Sequence, residues 1–555
     1  MRRERKPRDD IRSPALKKVV SRRAALSTAA KIGITAVVAG VVAGVGGYLA
    51  GSAAAPAKTV TETKTVTGPA STVTVTKTST VTKTVTSPTT VVTTTPPTTT
   101  TVTTPPTTVT TTPTKVWSYK EAAKPYRGTT IRVVTENTPP AVALKEEMVP
   151  KFEEETGIHV EWEAISWGDM YAKEISDLEA GTGVYDAIYV EQDIVYTYMG
   201  RGWLTDLTHF GDLHPELVDP NFDPDDFTAF GDAFKDPVTG HFYGYPYEAF
   251  LKTYWYREDY YEELGVKPAE TWEEFIELSK KFFEWGKNRE PRVYGCGFQM
   301  IGITLPYLFV EGFFPTHGVY TWGINLATMR ASVEKGGTLN SDRAVKAFED
   351  FFELLKLAPP EVKTFSWGGN VDAMAAGRTP HGPCEYSESA GAALRDNPDL
   401  RIRCTLPPLT PEARKEVLAR PKTDYWKAYV GYYDGGAFGI PYCSKNKEAA
   451  FLFIQYMTSK EGSMVTATKA FAPTRKSVLE KLVGSDLDRK TGYFSLVKEK
   501  DWMFAPAPPF REHKLLIERF YDKWIHRIVA KEVGIKEGLD ELAKEIDEML
   551  EALGY

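Results

Sequence analysis

Residues 59–114 decide first where this chain can fold. They hold 30 Thr, 10 Val and 7 Pro in 56 positions. So narrow a set offers no variety of apolar shapes to fill a core, and the segment is expected to stay unfolded. Thr/Pro richness predicts an extended, polyproline-like and O-glycosylated stalk spanning 58–115. At about 3.1 Å per residue it could reach on the order of 170 Å. A packed core is therefore confined to residues 116–555. Of 67 Phe, Trp and Tyr residues, 66 lie there. That portion is long enough for two lobes with cores of their own.

Charge divides at the same place. Residues 1–115 carry 16 Lys+Arg and 4 Asp+Glu, a net of +12; the whole chain carries −7, which leaves −19 on 116–555. So acidic a portion excludes a nucleic-acid partner, whose phosphates demand a basic footprint. Residues 1–31 form a basic n-region, and Ile32–Ala50 follows without a charge. Nineteen apolar or small residues can just span a bilayer, or serve as the h-region of an export signal with small-residue cleavage sites at 52–57. Ser21-Arg22-Arg23-Ala24-Ala25-Leu26 is similar to a twin-arginine signal but lacks the usual Phe. The basic flank predicts that everything after Gly51 lies outside the cytoplasm. A stalk behind an apolar segment makes sense mainly if that segment is retained, so 32–50 is expected to be an anchor.

The folded portion begins with alternating elements. Thr130–Thr135, Ile158–Ala164 and Tyr185–Val190 read as strands, with helical stretches between them ending at Gly157 and at Gly181-Thr182-Gly183. β-α-β-α-β order means a parallel sheet with right-handed crossovers, whose ligands sit beyond the strands' carboxyl ends. Gly240–Arg257 is a different kind of segment. It packs eight Phe, Tyr and Trp into eighteen residues, with Pro246 in its first half. It reads as a chain crossing between lobes past a cleft, or as a core strand after a turn. Further on, Thr271 and Glu274 form a capping box ahead of the apolar stripe Phe275, Leu278, Phe282 and Trp285. Val345, Phe348, Phe352 and Leu355 follow a Ser341 cap, Ala450, Phe453, Ile454 and Met457 follow Ser444, and Leu539–Leu553 form a terminal amphipathic helix.

Several segments, in order, carry a family resemblance. Phe152-Glu-Glu-Glu-Thr-Gly-Ile-His-Val160 resembles a signature of the extracellular solute-binding proteins, the sugar-type receptors of ABC importers. So do Tyr243-Gly-Tyr-Pro246 with Tyr254-Trp-Tyr256, Thr271-Trp-Glu-Glu274 after Pro268, and Asn340-Ser-Asp with Ala347-Phe348. Asp372-Ala-Met-Ala-Ala-Gly377, Gly435-Gly436 with Ser444-Lys-Asn-Lys447, and Pro473-Thr-Arg475 complete the series. The resemblance covers about 128–553. It implies an α/β, two-lobe, periplasmic-binding-protein-like (type II) fold with three inter-lobe crossings, near 244–250, 430–436 and 470–476. Lobe 1 would be 116–244 and 435–471, and lobe 2 would be 245–434 and 472–555. It implies a monomeric receptor that binds a carbohydrate without turnover and without a cofactor, and delivers it to ABC permease subunits served by a cytoplasmic ATPase.

Sugar recognition needs aromatic faces against C–H patches and planar polar groups for hydroxyls. The strand ends supply Glu136 and Asn137, Trp167, and Glu191 and Asp193 as candidates, each of which could instead cap a helix or fill a loop. Tyr247 and Glu248 lie at the first crossing. Trp322 and Trp367 sit in Gly-rich loops, where packing poorly explains a large ring. Glu385 ends an expected strand. Asp434, Gly435 and Gly436 suit a close backbone approach to ligand, or a turn. Arg475 contacts ligand or pins a hinge.

Other classes are weighed against this. No HExxH, GxSxG or Walker loop occurs. A surface glycoside hydrolase would need two carboxylates such as Glu191 and Glu385, a receptor of the same fold could take a peptide, and a surface-layer protein would bind no solute. Asp219, Asn221, Asp223 and Asp225 alternate like a calcium loop, but Pro224 and Phe230 stand where an EF-hand needs Gly and Glu. Cys296, Cys384, Cys404 and Cys443 show no zinc spacing, and Cys384–Cys404 is the candidate bridge in an exported protein.

Overall fold

The computed structural model describes 61–68, 71–78 and residues 116–555. Thr61–Gly68 (β1) and Ser71–Thr78 (β2) pair antiparallel, Gly68 opposite Ser71. Thr at every second position suits a pleated strand, although a lone two-stranded hairpin is marginal in water. The rest of the expected stalk, the basic region and the apolar segment 32–50 lie outside the described residues. Among the described residues no helix is long and apolar enough to cross a membrane.

Residues 116–555 form an α/β body built on Thr130–Glu136 (β3), His159–Ile165 (β4), Ala187–Glu191 (β5), Tyr245–Arg257 (β6), His381–Tyr386 (β7), Ile402–Thr405 (β8) and Tyr433–Gly439 (β9). β4, β3 and β5 run parallel, as strand–helix alternation requires. β9 then pairs antiparallel with β5, and β6 with β9. β6 is thirteen residues long and changes partners midway. Tyr245–Leu251 pairs with β9, while Lys252–Arg257 lies between β7 and β8. The aromatic segment at 240–257 therefore joins the first sheet to a second, smaller one. Tyr247 is an extra residue in the β6–β9 ladder, since Pro246 faces Ala437 and Glu248 faces Gly436. Pro246 has no N–H to give the ladder, which favours a bulge there.

The helices follow their signals. Trp272–Trp285 starts at Thr271 with both halves of the capping box made, and Phe275, Leu278 and Phe282 are buried. Asp342–Leu355 starts at Ser341, but its buried face is Ala344, Ala347, Phe348, Phe351 and Leu354. Val345, Phe352 and Leu355 flank that face at half burial. The buried face is rotated by about one position from the expected stripe, with Ala344 and Ala347 on it and Val345 at its edge.

All four cysteines are free. Cys384 lies on β7 and Cys404 on β8, strands that pair with opposite edges of β6. Two strand spacings, about 9–10 Å, exceed what a disulfide can span. The candidate bridge is therefore excluded by register.

Candidate functional site

The carboxyl ends of β3, β4 and β5 converge with the β6–β9 crossing. Glu136 ends β3, half-buried. After β4, the Ser166 hydroxyl caps the helix Trp167–Ala180, which fixes Trp167 as its first residue. The Trp167 indole N–H donates to Glu191 Oε2 at 2.9 Å, and the Tyr171 hydroxyl donates to the same oxygen at 2.7 Å. Two residues on, buried Asp193 accepts from the Tyr307 hydroxyl at 2.7 Å. Tyr307 belongs to the helix Thr304–Leu308, which packs with the second sheet's helices, so this bond joins the two sides. Its ring meets Trp167 edge-on at 6.4 Å and Trp367 at 5.5 Å, and Trp367 meets Tyr386 of β7 at 5.9 Å. A row of rings thus runs from the first strand ends to the second sheet. Trp167 and Trp367 keep part of their surface exposed.

The crossing strands form the floor. Gly435 has φ 128, a region essentially reserved for glycine, and a Cβ there would lie 2.4 Å from Glu248 O. A Cβ on Gly436 would meet the Tyr189 ring at 2.1 Å. Gly435 lets β9 approach β6 closely and Gly436 lets it approach Tyr189 of β5, with Glu248 facing Gly436 and Asp434 facing Phe250. Asp434 accepts from Gln192 Nε2 at 2.9 Å and from the Gly435 N–H at 2.7 Å. Glu248 accepts from the Thr138 hydroxyl at 2.6 Å.

The electrostatics follow from burying like charges together. Burial, then the charges of Glu248, Glu388 and Asp193, push the Glu136 carboxyl up to about 8. Burial pushes Glu248 up to about 7 and Glu388 up to about 8. Glu191 and Asp434 are raised by burial and by neighbouring carboxylates, and Asp193 is raised by burial. Lys252 is buried among them, 2.7 Å from Glu311 and 4.3 Å from the Tyr386 ring centroid. Among the described residues no group of His, Cys, Asp and Glu could hold a metal ion.

Residues 135–464, more than half of the chain, match the family model of the bacterial extracellular solute-binding proteins. The chain belongs to that family. An erythritol/L-threitol-binding protein of Mycolicibacterium smegmatis is 24% identical over 393 residues, 64% of this chain and 72% of that one. A binding protein of Brucella abortus is 28% identical over 158 residues, 28% of this chain, and the match spans only 34% of its length. Among solved structures, an ABC-transporter solute-binding protein of Agrobacterium radiobacter in complex with ribitol superposes at TM-score 0.62, with 20% identity over 76% of this chain and 99% of that one. Maltose-bound MalE3 of T. maritima superposes equally, with 17% identity over 76% of this chain and all of its own. The fold is therefore the two-lobed one of these binding proteins.

The sequence candidates separate into three groups against this solute-binding fold. Glu136, Trp167, Glu191, Asp193, Glu248, Trp367, Asp434, Gly435 and Gly436 come together as described. Asn137 adjoins them, exposed, with its backbone N–H bonded to Ile165 O. Tyr247 is buried, stacked on Phe438 at 4.2 Å, with its hydroxyl unpartnered. The remaining three lie elsewhere. Trp322 is fully enclosed, its N–H given to the Tyr432 hydroxyl and its ring packed on His513 and Tyr521. Glu385 is buried on β7, within the influence of Lys252 and Glu388, and its carboxylate accepts from Asn370 at 2.9 Å. Arg475 is buried beneath Phe222 and Phe227, donating to Thr458 O, Phe222 O and Asp223 O. Of its two readings, its contacts are those of a structural pin.

Tyr307, Tyr386, Glu388 and the Lys252–Glu311 pair carry no mark in the sequence reading. For Tyr386 a signal existed. It adjoins Glu385 on the same strand, and a one-residue shift exchanges the two faces.

Proposed function

We propose that this solute-binding protein is the receptor of an ABC importer, capturing a carbohydrate or polyol outside the cell and handing it to the permease. The observation that carries this reading is the row Trp167–Tyr307–Trp367, half-exposed at both ends and flanked by planar carboxylates at the strand ends. Ring faces suit sugar C–H patches and carboxylates suit paired hydroxyls. The tetritol-binding relative and the ribitol- and maltose-bound neighbours support the class. Closure of the lobes about β6, β9 and the segment at 470–476 accounts for capture, and ligand drives it only by binding the closed form better. Lobe 1 is 116–244 with 435–471, and lobe 2 is 245–434 with 472–555. The apolar segment 32–50 anchors the protein in the membrane and the Thr/Pro-rich stalk holds the lobes away from it. Enclosure of Glu385 away from Glu191 disfavours the hydrolase alternative, whose acid must reach substrate. Calorimetric titration of the purified protein with monosaccharides, oligosaccharides and polyols tests the reading. Heat with at least one supports it. Heat with peptides and none with any carbohydrate overturns it.

A further inference from the structure

Beside the aromatic row, carboxylates outnumber everything that could balance them. Glu136, Glu191, Asp193, Glu248, Glu388 and Asp434 arrive from β3, β5 and the turn after it, β6, the helix Ser387–Asp396 and β9. They act on one another: Glu136 feels Glu248, Glu388 and Asp193, and Glu191 feels Asp193, Asp434 and Glu136. Two amines stand near. Lys252 is committed to Glu311. Lys514 lies over the Trp167 and Tyr171 rings and is bonded to Glu518 at 2.5 Å.

Most neighbouring donors are consumed as well, the Tyr247 hydroxyl excepted. Trp167 and Tyr171 are spent on Glu191, Tyr307 on Asp193, Gln192 on Asp434 and Thr138 on Glu248. Two carboxylate oxygens remain buried with no hydrogen-bond partner, Glu248 Oε1 and Glu388 Oε2. A buried acceptor left unmade costs roughly 1–3 kcal/mol, more when charged. A site for neutral hydroxyls normally mixes donors with acceptors, because every hydroxyl is both. Apart from the Tyr247 hydroxyl and the displaceable carboxyl protons, this one offers acceptors. An ammonium matches it, with three donors, no acceptor and a compensating charge. The partly exposed Trp367 ring adds cation–π attraction to its contact with sugar C–H groups, whereas Trp167 already carries Lys514 over its ring.

We propose that the carbohydrate captured here bears a protonated amine, as an amino sugar or amino-sugar oligomer does, and that Glu248 and Glu388 receive its ammonium group. This rests on the carbohydrate reading above. Burial, with neighbouring carboxylates acting on Glu136 and Glu388, pushes Glu136, Glu248 and Glu388 up to about 7 to 8, so near neutral pH they hold protons. An arriving ammonium displaces them. The net charge of −19 on 116–555 adds long-range attraction for cations.

The test is calorimetry of the whole purified protein at pH 7.5. The probes are glucosamine and its β-1,4 dimer and trimer, the same oligomers N-acetylated, cellobiose and cellotriose, and spermidine. The expected result is at least tenfold tighter binding of an amine form than of its acetylated and neutral counterparts. Proton release should accompany it, read as a dependence on buffer ionisation enthalpy. Glu248→Gln and Glu388→Gln should each weaken the amine ligand at least tenfold while leaving the melting transition within a few degrees. Should either variant fail to fold, the proton release and the amine-to-acetyl ratio of the unmodified protein decide alone. Equal or tighter binding of neutral or acetylated sugars overturns the proposal and leaves the carbohydrate reading standing. Binding of spermidine with no binding of any sugar overturns both.

Discussion

The Lys252–Glu311 pair offers a sharp test of how the cleft floor is held together. Both side chains are almost wholly enclosed, at 0% and 3% exposure, with the amine 2.7 Å from the carboxylate. The Tyr386 hydroxyl donates to the same carboxylate oxygen, and the amine lies 4.3 Å from the Tyr386 ring centroid. Burial already raises the Glu311 carboxyl above its ordinary 4.5, against the pull of Lys252. Replacing Lys252 by methionine leaves a carboxylate with no counter-charge, and Glu311 must take up a proton to stay buried. At pH 7 that uptake costs about 1.36 kcal/mol for each of the 2.5 pH units above 4.5, an upper bound of roughly 3.4 kcal/mol because Glu311 is already raised with Lys252 in place. Loss of the cation–π contact adds about 1 kcal/mol. At pH 5 the protonation cost falls to about 0.7 kcal/mol by the same arithmetic. Lys252→Met is therefore expected to destabilise by up to about 4 kcal/mol at pH 7 and up to about 2 kcal/mol at pH 5, measured by equilibrium denaturation. The double variant Lys252→Met/Glu311→Gln should recover most of the pH 7 loss and show little pH dependence, since an amide still accepts from Tyr386 without a charge to neutralise. A penalty equal at the two pH values, or a double variant no more stable than the single one, would refute the reasoning.

Trp167→Ala should weaken carbohydrate binding about tenfold, roughly 1.4 kcal/mol, with little change in stability, because the ring is half-exposed at a helix start. Trp322→Ala should do the opposite and cost about 3–5 kcal/mol of stability, since the ring is sealed in the core; equal effects of the two on affinity would count against the site. Arg475→Lys should destabilise by about 2–4 kcal/mol, because an ammonium cannot reproduce a guanidinium fork spread over three carbonyls between two rings; a loss of affinity at unchanged stability would make Arg475 a ligand contact instead. Glu388 has a folded-state value of about 8 against 4.5, so the folded protein holds the extra proton between these values and stability is lost as pH rises through that window. Glu388→Gln should flatten that decline between about pH 4.5 and 8 in denaturation midpoints; an unchanged slope would place the carboxyl in a wetter setting.

What the sequence revealed and what it hid differ in the range of the interaction involved. The capping box at Thr271, the Ser341 cap and the strand–helix alternation before Glu191 are local, and each appears where spacing places it. The β6 crossing was legible for a related reason: a thirteen-residue aromatic strand with an early proline is too long for one sheet and must run into another. Trp322 shows the limit. Glycine neighbours suggested an exposed ring, yet the residue takes a left-handed turn at φ 60 and is covered by Phe510, His513 and Tyr521, which lie almost two hundred positions later. Nothing near position 322 encodes that cover. The carboxylates are legible one by one but not as a cluster. Glu136, Glu191, Asp193, Glu248 and Asp434 stand as single candidates in separate segments, and Glu388 carries no mark. The close approach of β9 to β6 at Gly435 and to β5 at Gly436 brings these six acids into one electrostatic site. The physical content of the site thus lies in the crossing, and substitutions that loosen it, such as Gly436→Ala against the Tyr189 ring, should disturb charge and binding at once even though they remove no contacting group.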